Sequence, residues 1–242
     1  VRGADIAEAE RNRLLTTGLY GTRIVVHDLE SPEQLPYSPY FASLVVVTGN
    51  ADGLPGKELY RVLRPCGGVM VFPGLKSSAA KRLMKKAGIP RSETSSSGGW
   101  TIVRGKLPDA GEWRHQWADG GRTGVSDEGR VRLPLDVLWF GGPGPDRMMS
   151  RHWGTSTPLS VDGRVFITGQ HHLITIDAYT GRELWVSELS GAGRKGAVWN
   201  SANFVADDDS LYVTIGSSCH RLSQATGKTE AVYGTPETLE ES

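Results

Sequence analysis

A loop rich in glycine and proline, GGPGPDRMMSRHW at residues 141–153, carries the side chains best suited to bind a charged group. Arg147, Arg151 and His152 can each donate hydrogen bonds, and an arginine can hold a carboxylate or phosphate through two parallel N–H···O bonds. Recognition residues tend to lie on such loops when a rigid β scaffold carries them. We therefore predict that these three residues bind an anionic ligand. The alternative is that Arg151 and His152 anchor the loop through hydrogen bonds.

Metal binding and acid–base catalysis have no comparable pattern. The histidines show no HExxH spacing, and Cys66 and Cys219 form no CxxC pair, so the usual zinc arrangements are missing from the sequence. No cluster of calcium ligands and no pair of catalytic acids stands out. We predict no metal site and no catalytic residue, and we expect the cysteines to be two isolated thiols. The histidines are His27, His115, His152, His171, His172 and His220.

The balance of charge argues against nucleic acid and anionic membranes as partners. The 242 residues contain 27 Lys and Arg and 27 Asp and Glu, so no net field attracts polyanions. A basic cluster has no interleaved aromatic residues, which favours a solvated helix face. No apolar run approaches the roughly 18 residues of a membrane helix, and residues 1–10 lack a signal pattern. The basic cluster consists of Lys81, Arg82, Lys85, Lys86 and Arg91.

A repeat predicts the elements that must carry the loop. The segment IDAYTGRELW contains a turn between two apolar runs, and its Gly181 recurs 46 residues later as Gly227. Trp139 precedes Trp185 by the same 46 residues. Repeats of about 40 to 50 residues with several short strands are typical of β-propeller blades. We therefore predict two to three blades, with strands at residues 165–168 and 173–176.

The repeat also predicts how neighbouring blades pack. Trp185 is placed to lock one blade against the next, because a large aromatic ring buries much surface at such a contact. The last copy is atypical, since Ala231 and Ser223 stand where Trp185 and Asp177 stand in the copy before it. A closed propeller needs at least about four blades. We expect either a piece of a longer protein or an exposed edge that another chain covers.

The first hundred residues have a different pattern, in which helices alternate with strands. The run LVVVT at residues 44–48 is continuous and apolar, as in a strand buried on both faces of a parallel sheet. Alternating strands and helices predict right-handed βαβ units and an open α/β sheet. Further strands are predicted at residues 23–27, 69–72 and 100–104, and helices at residues 4–17, 57–63 and 77–87.

Two segments of this α/β half, LPYSPYFASLVVV and ELYRVLRPCGGVMVF, carry a family resemblance. They resemble the second half of a class I S-adenosylmethionine-dependent methyltransferase, which has a Rossmann-like fold, and RVLRPCGG is the most specific part. The resemblance implies S-adenosylmethionine as the cofactor of a full-length parent protein. The sequence departs from the family where FASLV lacks the usual aspartate and where Thr48-Gly49-Asn50 stands in place of a catalytic element.

The same resemblance implies carboxylates that bind the cofactor. Asp5 corresponds to the acid that binds the ribose, and the alternative is a helix N-cap, a position that aspartate favours. Asp28 and Glu30 are the candidates for the acidic group near the adenine, and the alternative is that both are ordinary loop carboxylates. The family's Gly-rich loop lies outside the sequence, so these 242 residues as they stand are not expected to bind S-adenosylmethionine.

The C-terminal half is similar to quinoprotein-type β-propeller repeats. EWRHQWADGGRTGVS, LWFGGPGP and the IDAYTGRELW unit carry this similarity, and the order of segments resembles a bacterial fusion of a methyltransferase domain with such a propeller. We expect the tryptophans and glycines to dock blades rather than to hold pyrroloquinoline quinone. The predicted domains are a partial methyltransferase-like domain at residues 1–106, a linker at 107–112 and an incomplete propeller at 113–242.

These patterns favour a fragment of a binding or scaffold protein. The predicted fold is the C-terminal half of a Rossmann-like α/β domain followed by all-β propeller blades. We expect the propeller to bind a protein or a cell-envelope ligand and to associate with the remainder of the parent chain. A location in the periplasm or cell envelope fits this function, and the cytoplasm is the alternative. The alternative function is S-adenosylmethionine-dependent methyl transfer by the full-length parent.

Overall fold

The computed structural model describes residues 4–29, 33–48, 55–97, 99–148, 156–193 and 203–234. The chain divides into two compact units. The first unit comprises Val1–Leu63 and Gly68–Val103, and the second comprises Arg64–Gly67 and Arg104–Ser242. The turn Arg64–Gly67 therefore belongs to the second unit, although its neighbours along the chain belong to the first.

Helices alternate with strands in the first unit. The helix Ser77–Ala87 is followed by Gly88, whose φ of 72° is the left-handed conformation that glycine adopts without strain. The predicted helices and the predicted strands at residues 69–72 and 100–104 are confirmed, apart from a few end residues. The described elements are α1 (Ala4–Leu15), β1 (Leu44–Val46), α2 (Gly56–Val62), β2 (Val69–Phe72), α3 (Ser77–Ala87), a 3-10 turn (Arg91–Glu93), β3 (Thr94–Ser95) and β4 (Trp100–Val103).

These strands form a mixed sheet with the order β1-β2-β4-β3. β1 and β2 run parallel and α2 lies between them in the chain, whereas β4 pairs antiparallel with both β2 and β3. Met70, Phe72 and Ile102 are buried in one apolar cluster with Leu59 of α2 and Leu83 of α3. Helices α2 and α3 thus cover one face of the sheet.

The opposite face of this sheet departs from the prediction. The side chains of Leu44 and Val46 in β1 are 60% and 50% exposed, and Val103 in β4 is 48% exposed. The prediction that the strand at residues 44–48 is buried on both faces is therefore wrong within the described ranges. Its apolar residues satisfy the sequence pattern, but α2 and α3 pack on the other face.

The strand predicted at residues 23–27 is also wrong, because residues 23–29 form no strand. The β-branched residues there favour extended structure, but the backbone is used in a local turn. The N–H groups of Arg23 and Ile24 both donate to the carbonyl of Leu19, and the Gly21 N–H donates to the carbonyl of Ile24. Local turn hydrogen bonds therefore take the place of a sheet ladder.

Among the residues that the structure describes, the second unit contains two sheets, and each consists of four antiparallel strands in consecutive order. This is the architecture of β-propeller blades, and the predicted strands at residues 165–168 and 173–176 are confirmed. The first blade contains β5 (Leu159–Val161), β6 (Arg164–Thr168), β7 (His172–Asp177) and β8 (Glu183–Glu188). The second blade contains β9 (Phe204–Ala206), β10 (Ser210–Ile215), β11 (Ser218–Ser223) and β12 (Thr229–Tyr233).

One apolar core joins the two blades. Leu159 and Phe166 of the first blade are buried in the same cluster as Phe204, Leu211 and Leu222 of the second blade. Alternation along each strand supplies these residues, because successive side chains point to opposite faces of a sheet. The two blades therefore pack face to face across a common apolar core.

Candidate functional site

Two tryptophans make the same contact with the turn of the following repeat. The indole Nε1 of Trp139 donates to the carbonyl oxygen of Ala178 at 2.9 Å, and the indole Nε1 of Trp185 donates to the carbonyl oxygen of Gln224 at 2.9 Å. Donors and acceptors are each separated by the 46 residues of the repeat. The predicted role of Trp185 in docking one blade on the next is therefore confirmed.

Glycine is required where each indole ring lies on the turn. A Cβ atom at Gly181 would lie 2.3 Å from Cε3 of Trp139, and a Cβ atom at Gly227 would lie 2.5 Å from Cε3 of Trp185. Both glycines have positive φ, +67° and +69°. Any other residue would both strain the backbone and collide with the ring. The repeated Thr-Gly pair therefore marks the surface on which a tryptophan docks.

The buried carboxylate of Asp177 accepts hydrogen bonds from the backbone of the turn in the first blade. Its side chain is 2% exposed, its Oδ1 accepts hydrogen bonds from the N–H groups of Tyr179 and Thr180, and its Oδ2 accepts one from Nη1 of Arg64 at 2.5 Å. A buried carboxylate needs such partners, because an unpaired buried charge is strongly destabilising. Within the second unit, the turn Arg64–Gly67 thus supplies the cation for this carboxylate.

A cavity of about 570 Å³ lies beside the first blade, and its walls carry charges of both signs. It is large enough for a small ligand or a few side chains of a peptide. The wall includes two cations and three carboxylates, and none of these residues was predicted as a site from the sequence. The lining residues are Lys106, Ala110, Glu112, Arg114, Ala118, Asp119, Val125, Ser126 and Asp127.

Ion pairs organise the charged wall of this cavity around Glu112. The Oε1 atom of Glu112 lies 3.0 Å from Nζ of Lys106, and its Oε2 atom lies 2.5 Å from Nη2 of Arg114. Lys106 also lies 3.5 Å from Oδ1 of Asp162, and Arg114 lies 2.6 Å from Oδ1 of Asp208. Exposed pairs contribute at most about 1 kcal/mol each. Their main effect is to fix the positions of the charges.

The protonation of the two central groups follows from these contacts. Burial raises the pKa of Glu112, but hydrogen bonds from Lys106, from the Asp162 N–H and from Arg114 outweigh it, so the pKa lies below its ordinary value. Burial lowers the pKa of Lys106, but its hydrogen bond to Glu112 and the nearby charge of Asp162 outweigh it, so the pKa lies above its ordinary value. Both groups are therefore charged at neutral pH.

The backbone explains why Glu112 and Arg114 share one wall. Trp113 lies between them, and its N–H and C=O exchange hydrogen bonds of 2.8 and 2.9 Å with Ser160 of β5. In this extended segment alternate side chains lie on one side, so Glu112 and Arg114 lie on the same side. Gln116, in the turn that follows, accepts a hydrogen bond from the Thr157 N–H. The alternation of Glu112, Trp113 and Arg114, with an apolar residue between two charged ones, was the sequence signal that could have indicated this wall.

The residues predicted to bind an anion are in part outside the described ranges. Arg151 and His152 lie there, and their roles stay predictions. Nη1 of Arg147 lies 2.6 Å from Oε2 of Glu183, and the Arg147 carbonyl contacts Nε2 of His172 at 2.8 Å. Arg147 therefore fastens the loop to β7 and β8, and its side chain is 38% exposed.

The carboxylates predicted to bind a cofactor are not gathered into one site by any described contact. Asp5 lies exposed in the first turn of α1, where a negative charge interacts favourably with the helix dipole. Asp28 is half-buried in the irregular segment after residue 24. Glu30 is outside the described residues. The proposed ribose and adenine contacts of these three residues stay predictions.

Three further features of the described residues bear on function. Cys66 and Cys219 are free thiols, and burial together with the nearby charge of Asp162 raises the pKa of Cys66 to about 11. No group of three or more histidine, cysteine, aspartate or glutamate side chains in these ranges is arranged to hold a metal ion. None of the helices described is both long enough and apolar enough to cross a membrane.

Comparisons with known proteins add the following findings. No family model and no curated protein matches the chain. The crystal structure of BamB from Moraxella catarrhalis is 27% identical over 30% of this chain and 21% of that chain, with a TM-score of 0.26. A europium-containing methanol dehydrogenase is 20% identical over 33% of this chain and 15% of that chain, with a TM-score of 0.27. The matches thus span less than a quarter of the length of each of these two known proteins.

Proposed function

We propose that the second unit is a β-propeller-type binding module that holds a charged segment of another protein in the cavity around Glu112. The observation that carries this proposal is the fixed array of opposite charges formed by Lys106, Glu112 and Arg114. The array is attached to β5 through the backbone of Trp113, and β5 belongs to the core shared by the blades. Such preorganised charges favour recognition over reaction.

The charges of the wall indicate the class of ligand. A uniformly anionic polymer would meet Glu112, Asp119 and Asp127, and like charges brought together at an interface cost affinity. A polypeptide segment that carries both a lysine or arginine and an aspartate or glutamate can pair with both kinds of wall residue. A protein ligand of mixed charge therefore fits this cavity better than a nucleic acid does.

A library of seven-residue peptides, displayed on beads and screened against the 242-residue protein, tests this proposal. We expect enrichment of peptides with charges of both signs, and a fall in affinity as salt rises. Asp127→Lys reverses one exposed charge of the wall and should weaken the selected peptides by about 10-fold, which is 1.4 kcal/mol. Asp209→Lys makes the same change at an exposed position that does not line the cavity and should leave affinity within about 2-fold.

Two results would contradict the binding proposal. The first is enrichment of purely apolar or purely anionic peptides, which the wall charges do not explain. The second is equal weakening by Asp127→Lys and Asp209→Lys, since a general charge effect would then account for the data.

The location of the protein can be measured by subcellular fractionation of the source cells. A protein exported to the envelope is removed from the cytoplasmic pool of S-adenosylmethionine, so an envelope location would favour the binding function over methyl transfer.

A second candidate function is methyl transfer from S-adenosylmethionine by a full-length parent. The observation that favours it is the parallel pair β1 and β2 with α2 between them, followed by the antiparallel strand β4. Mixed sheets are common among α/β folds, and here the antiparallel strand β4 lies inside the sheet, between β2 and β3. The RVLRPCGG segment that resembles the methyltransferase family leads into β2.

Calorimetric titration separates the two candidates. S-adenosylmethionine and its demethylated product are titrated into the full-length parent, with the 242-residue protein as the control. Micromolar binding by the parent alone would support methyl transfer, because residues outside this sequence would then complete a cofactor site. Binding by neither protein would eliminate it and leave the α/β half as a scaffold.

A further inference from the structure

Residues 137–142 occupy the place of an outer blade strand. They precede β8 by the 46 residues of the repeat, so Trp139 in this segment corresponds to Trp185 in β8. Both indoles donate at 2.9 Å to a carbonyl of the next turn, and both rings cover the glycine of that turn. The segment is therefore docked on the first blade in the way that β8 is docked on the second.

This segment lacks the sheet that β8 has. β8 pairs with β7 along its length, whereas residues 137–142 belong to no strand and make no backbone hydrogen bond to another described segment. The difference is visible at the residue that follows each tryptophan position. Phe140 is 100% exposed, whereas Val186 in β8 is 39% exposed and Val232 in β12 is 42% exposed. The position is therefore less exposed in the paired strands β8 and β12 than in the unpaired segment.

The chain does not supply the missing neighbour from the expected place. By the repeat, the strand next to residues 137–142 would be residues 126–131. That stretch is instead bound to the segment before Glu112, because the Gly129 N–H donates to the carbonyl of Asp109 and Glu128 accepts from the Gly111 N–H. Residues 126–131 are therefore committed to other hydrogen bonds.

We propose that residues 137–142 are the outer strand of a third blade and bind a β-strand that comes from a further copy of the repeat outside the two described blades. The register of the first blade defines the chemistry of that strand. Thr175 lies opposite Trp185, and Ile174 lies opposite Val186. The partner strand therefore places a small residue opposite Trp139 and a branched aliphatic residue opposite Phe140.

The open side of the segment fits a strand better than it fits a helix or a lipid. Backbone N–H and C=O groups that make no hydrogen bond to another described segment are satisfied by a second strand, which supplies donors and acceptors at matching intervals. A helix has already used its backbone groups, and lipid tails have none. The proposal does not depend on the ligand of the mixed-charge cavity, because Val137 to Gly142 do not line it.

Binding of a peptide that copies the β6–β7 hairpin, residues 164–177, tests the proposal on the whole 242-residue protein. We expect the peptide in excess to slow amide hydrogen exchange at residues 137–142 by about 10-fold or more, because sheet amides exchange only on opening. A control peptide with Thr175→Pro lacks the N–H and the extended edge and should give no protection.

Two variants of the protein, one inside the segment and one outside it, test whether the peptide binds at residues 137–142. Phe140→Asp removes the apolar residue of the segment and should weaken the peptide by about 10-fold without changing the free energy of unfolding, because the side chain is fully exposed. Leu133→Asp changes an equally apolar residue that is 85% exposed outside the segment, and should leave binding within about 2-fold.

Three outcomes would overturn the proposal. The first is no protection of residues 137–142 by the native peptide at concentrations that saturate any other site. The second is equal loss of binding in Phe140→Asp and Leu133→Asp. The third is self-association of the peptide-free protein in sedimentation, abolished by Phe140→Asp, because a second copy of the chain would then be the occupant.

Discussion

The two blades of the second unit share a backbone plan and differ in the side chains that fasten it. Each turn before the outer strand contains the same hydrogen bond, from the Gly181 N–H to the carbonyl of Asp177 at 2.9 Å and from the Gly227 N–H to the carbonyl of Ser223 at 2.8 Å. The first turn adds the Asp177 carboxylate and its partner Arg64. The second has Ser223 instead, and it forms the same backbone turn.

The groups that form each turn differ from the groups that attach it to its surroundings. The backbone bond and the glycine are enough to form the turn, since both blades have them. The Asp177 carboxylate ties the first turn to Arg64, and Trp185 ties the first blade to the second. Ala231 at the tryptophan position of β12 removes this second kind of attachment. Side chains at two repeat positions therefore set how strongly each blade is joined to its surroundings.

Trp185→Ala should separate the blades most strongly. The change removes the ring contact with Gly227, the packing against Phe166 and the hydrogen bond to Gln224. Substitution of a core tryptophan by alanine typically costs about 3 to 5 kcal/mol, and the half-buried ring should give a loss of about 3 kcal/mol. Hydrogen exchange of the β10 amides measures this loss as a local free energy of unfolding.

Two companion variants interpret the Trp185→Ala result. Trp185→Phe keeps an aromatic ring but loses the indole hydrogen bond, and should lower the local free energy of unfolding by about 1 kcal/mol. Ala231→Trp restores the repeat pattern without a described turn to dock on, and should change stability by less than about 0.5 kcal/mol. A loss below about 1 kcal/mol for Trp185→Ala would show that the shared apolar core alone holds the blades together.

Asp177→Ala and Ser223→Ala test the difference between the two turns. Asp177→Ala leaves Arg64 without its carboxylate in a largely buried place, and breaking a buried pair costs about 3 kcal/mol or more. Ser223→Ala should change stability by less than about 0.5 kcal/mol. Urea unfolding, followed by tryptophan fluorescence, compares the two. Similar losses in both variants would mean that the pairing with Arg64 adds nothing to the first turn.

Gly227→Ala and Gly216→Ala isolate the glycine contact with the indole ring. Both glycines have positive φ, +69° and +60°, so alanine strains the backbone in both. Only at Gly227 would the new Cβ meet a tryptophan, and overpacking should add about 2 kcal/mol to the loss there. The same urea measurement reports the difference. Equal losses would show that the ring of Trp185 moves aside without cost.

The smallest expected effect is a difference in acid sensitivity between the hairpins that open the two blades. Burial raises the pKa of Asp207, but hydrogen bonds from the Ser210 and Asp209 N–H groups and from the Tyr212 hydroxyl outweigh it, so the pKa lies below its ordinary value of 3.8. The resulting stability is complete above pH 3.8 and is lost as pH falls through the lower pKa of the folded protein. Val161 stands at this position in the first blade.

Because Asp207 is exposed, solvent screening should limit its contribution to less than about 1 kcal/mol. An acid titration followed by the NMR signals of the hairpin amides should show a loosening of the β9–β10 turn that depends on Asp207. At the β5–β6 turn the carboxylate that holds a backbone N–H is Glu112, which accepts from Asp162. Asp207→Asn cannot titrate and should remove the transition. A transition that persists in this variant would assign the acid sensitivity to another group.

Local patterns in the sequence were enough to predict most elements. The 46-residue period, the strand at residues 69–72 and the helix at residues 77–87 follow from apolar spacing, turn residues and propensity, and all are present. The tryptophan contact also followed, because repetition of Trp and Gly at fixed spacing implies a repeated contact. The predicted strand at residues 23–27 failed because β-branched residues alone do not supply a partner strand.

The sequence by itself therefore determined the repeat, which is visible as a fixed spacing of 46 residues. It also determined the turn glycines and the alternation of buried residues along the strands, because these are set by neighbours within a few residues. Only the tertiary structure decided that Arg64 pairs with Asp177 and that Leu44 lies on an exposed sheet face. The physical reason is that charge pairing and burial depend on segments far apart in the chain, whose meeting no local pattern encodes.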